Sequence, residues 1–267
     1  MESYREIDAG TRRMWRYAVR VVRADFSLII CIAVLVGHLS ISPGAAFTIP
    51  EKLVYDLTWT GVKAGTATLE VVNDKETLRV ISTANSANWV SVFYKVEDRV
   101  ETVLAKGKSD IFMALPQNYR LKLREGRHRR DKEVIYDHAQ KKATFIDHLD
   151  NDRKEFAISG HTFDPLSVLY YVRTLKLEVG RSVYMDIFDS KKLWNVEVQV
   201  LRKERISSIL GEVDTLVVKP LMKSEGIFNR KGDMLIWITN DQKKLPVKMQ
   251  TKVAVGAITA TLVSGIY

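Results

Sequence analysis

After residue 50 the chain alternates apolar and polar residues over most of its length, which is typical of half-buried β-strands. In EKLVYDLTWTGVKAGTATLEVV (51–72), Leu53, Tyr55, Leu57 and Trp59 fall on one face at a period of two, and the segment 61–65 favours a reversal. Similar segments lie at 77–86, 96–105, 133–138, 142–148, 181–189, 193–204 and 213–220. Because the connections are short, the pattern predicts an antiparallel meander.

One segment has helical rather than strand spacing. FDPLSVLYYVRTLKLEVG (163–180) offers Asp164 as a helix N-cap and Pro165 at the first helical position. The spacing predicts a single helix over about 165–175. A lone amphipathic helix between β segments is expected to cover one open face or end of a curved sheet.

The final stretch, GDMLIWITNDQKKLPVKMQTKVAVGAITATL (232–262), predicts long closing strands with a turn between them. Val247, Met249, Val253 and Val255 are predicted to share one face, and Gly256 permits a bulge or bend. The small residues that follow either allow close packing or leave volume for a ligand. The pattern as a whole predicts a mainly β fold, an antiparallel meander rolled into an incomplete or spiral β-barrel with one covering helix. Its interior is either packed or an apolar cavity.

The first 46 residues have the layout of a secretory signal peptide. A basic stretch precedes a short apolar run (26–36), and small residues follow it up to Ala46, where we expect cleavage. The alternative is an uncleaved anchor, but the run is shorter than the roughly 20 residues that span a bilayer. We therefore expect a periplasmic protein with a single exported β-rich domain at 47–267.

Cysteine usage narrows the chemistry further. The only cysteine, Cys31, lies inside the apolar run, and Ile30 before it does not suit a lipoprotein signal. A chain cleaved after Ala46 has no thiol, so disulfides, thiolate metal sites and cysteine nucleophiles are excluded.

Charge points to anionic partners. Six of the 41 basic and four of the 32 acidic residues precede position 47. From position 47 onwards the chain therefore has 35 basic and 28 acidic residues. An exported basic protein meets anionic lipids, lipid phosphates and acidic glycans rather than nucleic acid. The surplus is concentrated in RLKLREGRHRRDK (120–132), where strand alternation puts cations on one face. The candidate anion-binding patch comprises Arg124, Arg127, Arg129 and Arg130; a solvated hairpin tip is the alternative.

Several segments resemble, in order and spacing, the exported bacterial family called domain of unknown function 3108. They are LVYDLTWTGVKAGTATLEV, VFYKVEDRVET, LREGRHRRDKEVIYD, DPLSVLYYVR, GEVDTLVVKP and the closing stretch quoted above. The closing strands, with Trp237, Asp241 and Pro246, also resemble more loosely those of outer-membrane lipoprotein carriers. The resemblance implies a curved sheet and an exported protein, and it implies no activity.

No reaction centre is evident, and we predict no catalytic residue, cofactor or metal site. There is no HExxH, G-x-S-x-G, P-loop or GxGxxG motif. Asp137–His138 and Asp147–His148 are adjacent pairs, but neighbours on a strand face opposite ways. ISGHTFDP holds Ser159, His161 and Asp164 without the spatial convergence that a triad needs.

Two functions remain. The first is a non-catalytic periplasmic binding or envelope-maintenance protein that holds an apolar or lipid-like ligand, a lipoprotein or a partner segment, and is peripheral rather than integral to the membrane. Its candidate ligand-lining residues are Trp59, Trp89, Tyr94, Trp194 and Trp237. The second is an envelope hydrolase that acts on glycan or lipid through unidentified carboxylates. A partner-binding role through exposed strand edges lies between them.

Overall fold

The structure is a computed structural model that describes residues 48–105, 115–189, 191–222, 234–253 and 255–267. The described strands are β1 (Glu51–Trp59), β2 (Val62–Asp74), β3 (Thr77–Ser86), β4 (Glu97–Ala105), β5 (Pro116–Glu125), β6 (His128–Asp137), β7 (Lys142–Asp147), β8 (Asp152–Ala157), β9 (Thr162–Phe163), β10 (Ser182–Asp189), β11 (Lys192–Ser208), β12 (Gly211–Met222), β13 (Met234–Thr239), β14 (Pro246–Lys252) and β15 (Ala257–Ile266). Two helices accompany them in the same ranges, α1 (Asn88–Ser91) and α2 (Ser167–Thr174).

All fifteen described strands belong to one sheet. Its order runs from β8 to β1 and then from β15 to β9, so that β1–β15 is the only pairing between strands that are not consecutive in the described chain. In this seam Lys52 lies opposite Ile266 and Trp59 lies opposite Ile258. The pairs are antiparallel except β9–β10, which is parallel and whose connection contains α2. The predicted meander is confirmed.

The sheet curls until its two edges face each other without joining. The hydroxyl of Tyr136 on β6 donates to the carbonyl oxygen of Phe188 on β10 at 3.2 Å. The rings of Phe156 on β8 and Phe188 lie 5.5 Å apart. Lys191 Nζ contacts Asp152 Oδ2 at 2.7 Å. Side chains thus bridge the edges while the backbones stay unpaired, and the predicted incomplete barrel is confirmed.

The strand directions define two ends of this barrel-like sheet. One end, called the α1 end here, carries α1 and the turns β1–β2, β5–β6, β7–β8, β10–β11 and β14–β15. The opposite end, called the α2 end, carries the starts of β1 and β10, the turns β11–β12 and β13–β14, and α2. The predicted covering helix is confirmed, and it closes the α2 end.

A buried ion pair fixes α2 in this position. The Arg173 guanidinium donates from Nη1 and Nη2 to the two carboxylate oxygens of Glu51, each at 2.7 Å. Its Nε donates to the carbonyl oxygen of Lys243 at 3.1 Å, and the Tyr170 ring lies 5.3 Å from its centre. Arg173 is 1% and Glu51 is 0% exposed. A helical residue, the first residue of β1 and the β13–β14 turn are therefore joined inside the protein.

Inward-facing residues confirm the predicted alternation, with differences near the turns. Leu53, Tyr55 and Leu57 are fully buried. The predicted β14 face is confirmed for Val253, which is partly buried and packs against the core, but it is wrong for Val255, which lies after β14 ends at Lys252 and is exposed. Strand β8 was not predicted, because its residues are mostly exposed and polar. The predicted signal peptide, with Cys31, lies outside the described residues.

Candidate functional site

The interior beside α2 is packed. Leu169, Val172 and Arg173 face Val198, Val218, Pro220, Ile236 and Ile238 from β11, β12 and β13, and the cavity between them is about 10 Å³. A cavity of this size holds about one water molecule. The sequence allows either a packed interior or an apolar cavity, and the interior beside α2 is packed.

The α1 end is organised differently, as a continuous series of contacts between turns. Trp59 Nε1 donates to the carbonyl oxygen of Val255 at 2.9 Å, which joins β1 to the β14–β15 turn. Trp89 Nε1 donates to the carbonyl oxygen of Lys63 at 2.8 Å, which joins α1 to β2. The backbone N–H of Gly126 donates to the carbonyl oxygen of Lys95 at 2.8 Å, which joins the segment after α1 to the β5–β6 turn. These turns form one surface.

Large apolar side chains project from this surface. Val92 is 76% exposed, Phe93 62%, Val62 59%, Val255 53% and Trp89 42%. They come from the β1–β2 turn, the α1 segment and the β14–β15 turn, which the contacts above hold together. Exposed apolar residues are ordinary when they are scattered, but a contiguous group indicates an interaction surface. We call these five residues the apolar rim.

The basic segment 120–132 forms the adjoining β5–β6 hairpin. The side chains of Arg120, Lys122 and Arg124 alternate with buried Leu121 and Leu123, as predicted. Acidic partners come from the neighbouring strands as well as from within the segment. Arg120 binds Asp131 and Glu133, and Arg124 Nη1 contacts Glu97 Oε2 at 2.8 Å. The cations on the strand face are therefore largely neutralised.

The arginines at the hairpin tip have different partners from those on the strand face. Arg129 Nη1 donates to the carbonyl oxygens of Gly126 and His128, and Arg130 Nε donates to His128 Nε2 at 2.8 Å. Arg127 is exposed. Within the described ranges, no carboxylate forms an ion pair with Arg127 or Arg129. Of the predicted patch, Arg127 and Arg129 retain charge for an external anion, and we call these two the hairpin-tip arginines. Arg130 lies opposite the buried Leu123, and its charge acts on the buried Asp98 carboxyl, whereas Arg124 is committed to Glu97.

A glycine fixes the geometry of this tip. Gly126 has φ +58°, and a Cβ atom at this position would lie 2.7 Å from Cε2 of Tyr94. Tyr94 itself is buried. The tip therefore packs directly on the ring that follows α1, and the basic residues and the apolar rim are held side by side.

The five predicted ligand-lining aromatics do not all lie on the same face of the sheet. Trp59, Trp89 and Tyr94 all lie at the α1 end. Trp194 is buried near the start of β11, with Lys192 Nζ 4.0 Å from its ring centre. Trp237 lies on the face of β13 opposite to the residues that line the α2 cavity, and Lys248 Nζ is 4.5 Å from its ring centre. Trp59, Trp89, Tyr94 and Trp194 therefore all lie toward the α1 end, whereas Trp237 lies on the other face of the sheet.

Two inward-facing carboxylic acids lie beneath the basic hairpin. Burial and then the nearby charge of Glu125 raise the pKa of Asp98 to about 7. Asp98 Oδ1 accepts the backbone N–H of Arg124 at 3.0 Å. Asp98 is only 3% and Glu125 0% exposed, so neither meets an external substrate in this conformation. The sequence contained no local signal for this pair, because its members come from different strands.

Asp164 is also buried, and burial raises its pKa. Its Oδ1 accepts the N–H groups of Leu166 and Ser167 at 2.8 and 2.9 Å, and the hydroxyl of Thr102 at 2.8 Å. This is the predicted capping role, and it also ties the start of α2 to β4. Ser159 pairs with the Thr162 hydroxyl instead of joining a triad.

The histidines have structural contacts. His148 pairs with Glu133 at 2.7 Å rather than with the adjacent Asp147, and His138 Nε2 contacts the carbonyl oxygen of Pro116 at 2.7 Å. In the described part of the chain no three His, Cys, Asp or Glu side chains come together as metal ligands. Neither helix in that part combines the length and apolar character of a membrane span.

The curved sheet places the protein in a class that is already represented among solved structures. It is similar to the crystal structure of a beta-barrel-like protein of domain of unknown function DUF1849 from Brucella abortus, with a TM-score of 0.53 and 10% identity. The match covers 81% of this chain and 96% of that chain, and at this identity it shows the fold alone.

The chain belongs to the family of proteins of unknown function called DUF3108, whose sequence model matches residues 54–263. The family resemblance seen in the sequence is thereby confirmed. No curated protein matches the chain.

Proposed function

We propose that the protein is an exported, non-catalytic component of the bacterial cell envelope that binds its partner on its outer surface at the α1 end. One observation supports this proposal above the others. The apolar rim and the hairpin-tip arginines lie side by side, whereas the interior beside α2 leaves only about 10 Å³. A lipid tail needs far more volume, since ligand pockets are typically about 300–1,000 Å³.

The charge of the chain favours an anionic partner. After Ala46 basic residues exceed acidic ones by seven (35 minus 28), and within the described ranges the hairpin-tip arginines Arg127 and Arg129 form no ion pair with a carboxylate. Anionic lipids, lipoproteins and acidic glycans are the partners of this kind that an envelope provides. No described carboxylate arrangement specifically favours the hydrolase alternative, since Asp98 and Asp164 are both buried.

The test is to purify the protein from the envelope fraction of its host and to analyse it by native mass spectrometry before and after lipid extraction. We expect a partner that dissociates at high salt and a protein that stays folded after delipidation. A stoichiometric lipid that resists both treatments would contradict surface binding and require an internal site.

Export is tested on the same sample. Intact mass and N-terminal sequencing are expected to give a chain that begins at Phe47, because cleavage is expected after Ala46. Recovery of the full-length chain in the cytosolic fraction would contradict the envelope assignment.

A further inference from the structure

We infer that the α1 end docks on a bilayer that contains anionic lipids, with the apolar rim in the interfacial region and the hairpin-tip arginines on lipid phosphates. This inference rests on the proposed function and names the partner of the same surface. The first argument is composition. Aromatic and aliphatic side chains beside arginines are the combination found where proteins lie on a membrane surface.

The second argument is continuity. The apolar rim and the arginines are not separate patches, because residues 94–96 lie between them and contact both. Tyr94 N donates to the carbonyl oxygen of Val90 at 2.7 Å, and Val96 forms an isolated bridge with Glu125. Tyr94 also packs against Gly126. Residues 94–96 therefore connect the α1 segment of the apolar rim to the hairpin that carries Arg127 and Arg129.

The third argument is the neutralisation of the nearby acid. Glu97 begins β4 beside the hairpin and would repel lipid phosphates if it were unpaired. Its Oε1 contacts Lys95 Nζ at 2.7 Å and its Oε2 contacts Arg124 Nη1 at 2.8 Å. Hydrogen bonds and charges from these two residues, the Lys95 hydrogen bond first, lower the pKa of Glu97, so it stays ionised within its own ion pairs. The tip charges are left for the lipid.

The fourth argument is position on the molecule. The α2 end is closed by a helix that is fixed by the buried Arg173–Glu51 pair, and its exposed apolar residues come from separate turns, such as Ile209 in the β11–β12 turn. At the α1 end, contacts link the contributing turns directly. Docking through the α1 end would hold the strands at a steep angle to the membrane surface, with the α2 end pointing away from the membrane.

The experiment is vesicle co-sedimentation of the protein purified from its host, with vesicles of neutral phosphatidylcholine and vesicles that contain about one third phosphatidylglycerol. Two variants test the two halves of the surface: Val92→Ser with Phe93→Ser, and Arg127→Gln with Arg129→Gln. The controls at the α2 end are Ile209→Ser and Arg205→Gln, which change an exposed apolar residue and an exposed arginine there. All variants share the same N-terminal segment, so that differences report on the altered end. Thermal unfolding confirms that each variant is folded.

We expect anionic vesicles to be bound and neutral vesicles to be bound much more weakly, with binding that falls as salt rises. Removing both arginines should weaken binding to anionic vesicles on the order of tenfold and flatten the salt dependence. Removing the two apolar side chains should weaken binding by a similar factor at every salt concentration, because apolar burial is not screened. The α2-end controls should bind like the unaltered protein.

Unchanged binding in both α1-end variants, or equal losses in the α2-end controls, would overturn the inference. The proposed function fails separately. If vesicles are not bound but a salt-sensitive protein or glycan partner still co-purifies from the envelope, membrane docking is wrong and surface binding stands. If the protein is cytosolic, the proposed function is wrong regardless of vesicle binding.

Discussion

Replacing Glu51 by Gln should destabilise the protein much more than a conservative change at one strand position usually does. Glu51 begins β1, and its carboxylate receives two hydrogen bonds from Arg173 of α2. Glutamine has nearly the same shape and can accept only one of them. The substitution therefore removes the negative charge while it leaves the guanidinium buried.

The magnitude follows from burial. Breaking a buried ion pair by removing one partner costs about 3–5 kcal/mol, because the remaining charge is left without its counterion. Here the arginine keeps its hydrogen bond to the Lys243 carbonyl and its contact with the Tyr170 ring. We therefore expect about 3 kcal/mol for Glu51→Gln, which for a domain of this size corresponds to a fall in Tm on the order of 10 °C.

The double variant Glu51→Leu with Arg173→Met completes the test. Because it removes both charges and fills the space with apolar atoms, it should cost less free energy of unfolding than Glu51→Leu alone or Arg173→Met alone. Urea unfolding followed by circular dichroism gives the free energies, and a double-mutant cycle gives the coupling. The control is Glu155→Gln, which breaks the exposed 2.9 Å pair with Lys142 and should cost less than about 1 kcal/mol.

Two results would refute this reasoning. One is a cost for Glu51→Gln no larger than that for Glu155→Gln. The other is a double variant whose cost equals the sum of the costs of Glu51→Leu and Arg173→Met measured singly, since additivity would mean that the pair is not coupled.

Two further predictions concern the α1 end. The folded-state pKa of Asp98, about 7, lies above its ordinary value of 3.8, so the native state binds the extra proton between these values. Stability should fall as pH rises through that window. Asp98→Asn should reduce this fall, to which the buried Asp164 also contributes, and should be more stable than the unaltered protein at pH 8 by up to about 4 kcal/mol. Urea unfolding at pH 5 and pH 8 checks this, and an unchanged slope would contradict it. Gly126→Ala should cost about 1–2 kcal/mol for the positive φ plus the displacement of Tyr94. Gly211 has φ +85° and no atom within 4 Å of an added Cβ, so Gly211→Ala measures the backbone contribution to the loss of unfolding free energy alone. Equal losses for Gly126→Ala and Gly211→Ala would contradict a contribution from the Tyr94 contact.

The fold was predictable where burial is one-sided. Leu53, Tyr55 and Leu57 alternate with half-buried neighbours, and the sheet buries one face, so the period of two survives in the sequence. Strand β8 was missed because it is an edge strand with mostly exposed polar residues, which is a common protection against unwanted pairing. The helix was found because its N-terminal signals are local, and Asp164 caps it as expected.

The candidate site was less predictable because its parts come from distant strands. The sequence shows that segment 120–132 is basic, but it does not show that Glu97 and Glu133 neutralise Arg124 and Arg120. It also suggests a shared role for five aromatic residues, whereas four of them lie toward the α1 end and Trp237 lies on the other face of the sheet. Pairings across strands follow from register, which local patterns do not specify on their own.

The β1–β15 seam has a consequence for how the chain could be rearranged. Lys52 and Ile266 lie opposite each other although 214 positions separate them (266 minus 52), so the two ends of the described fold are spatial neighbours. A short linker there, with a new opening at 158–161 between edge strands β8 and β9, would give a circular permutant. In that permutant every hydrogen-bonded strand would also be next to its partner along the chain. Its lower contact order should allow the same sheet to form faster than in the natural order.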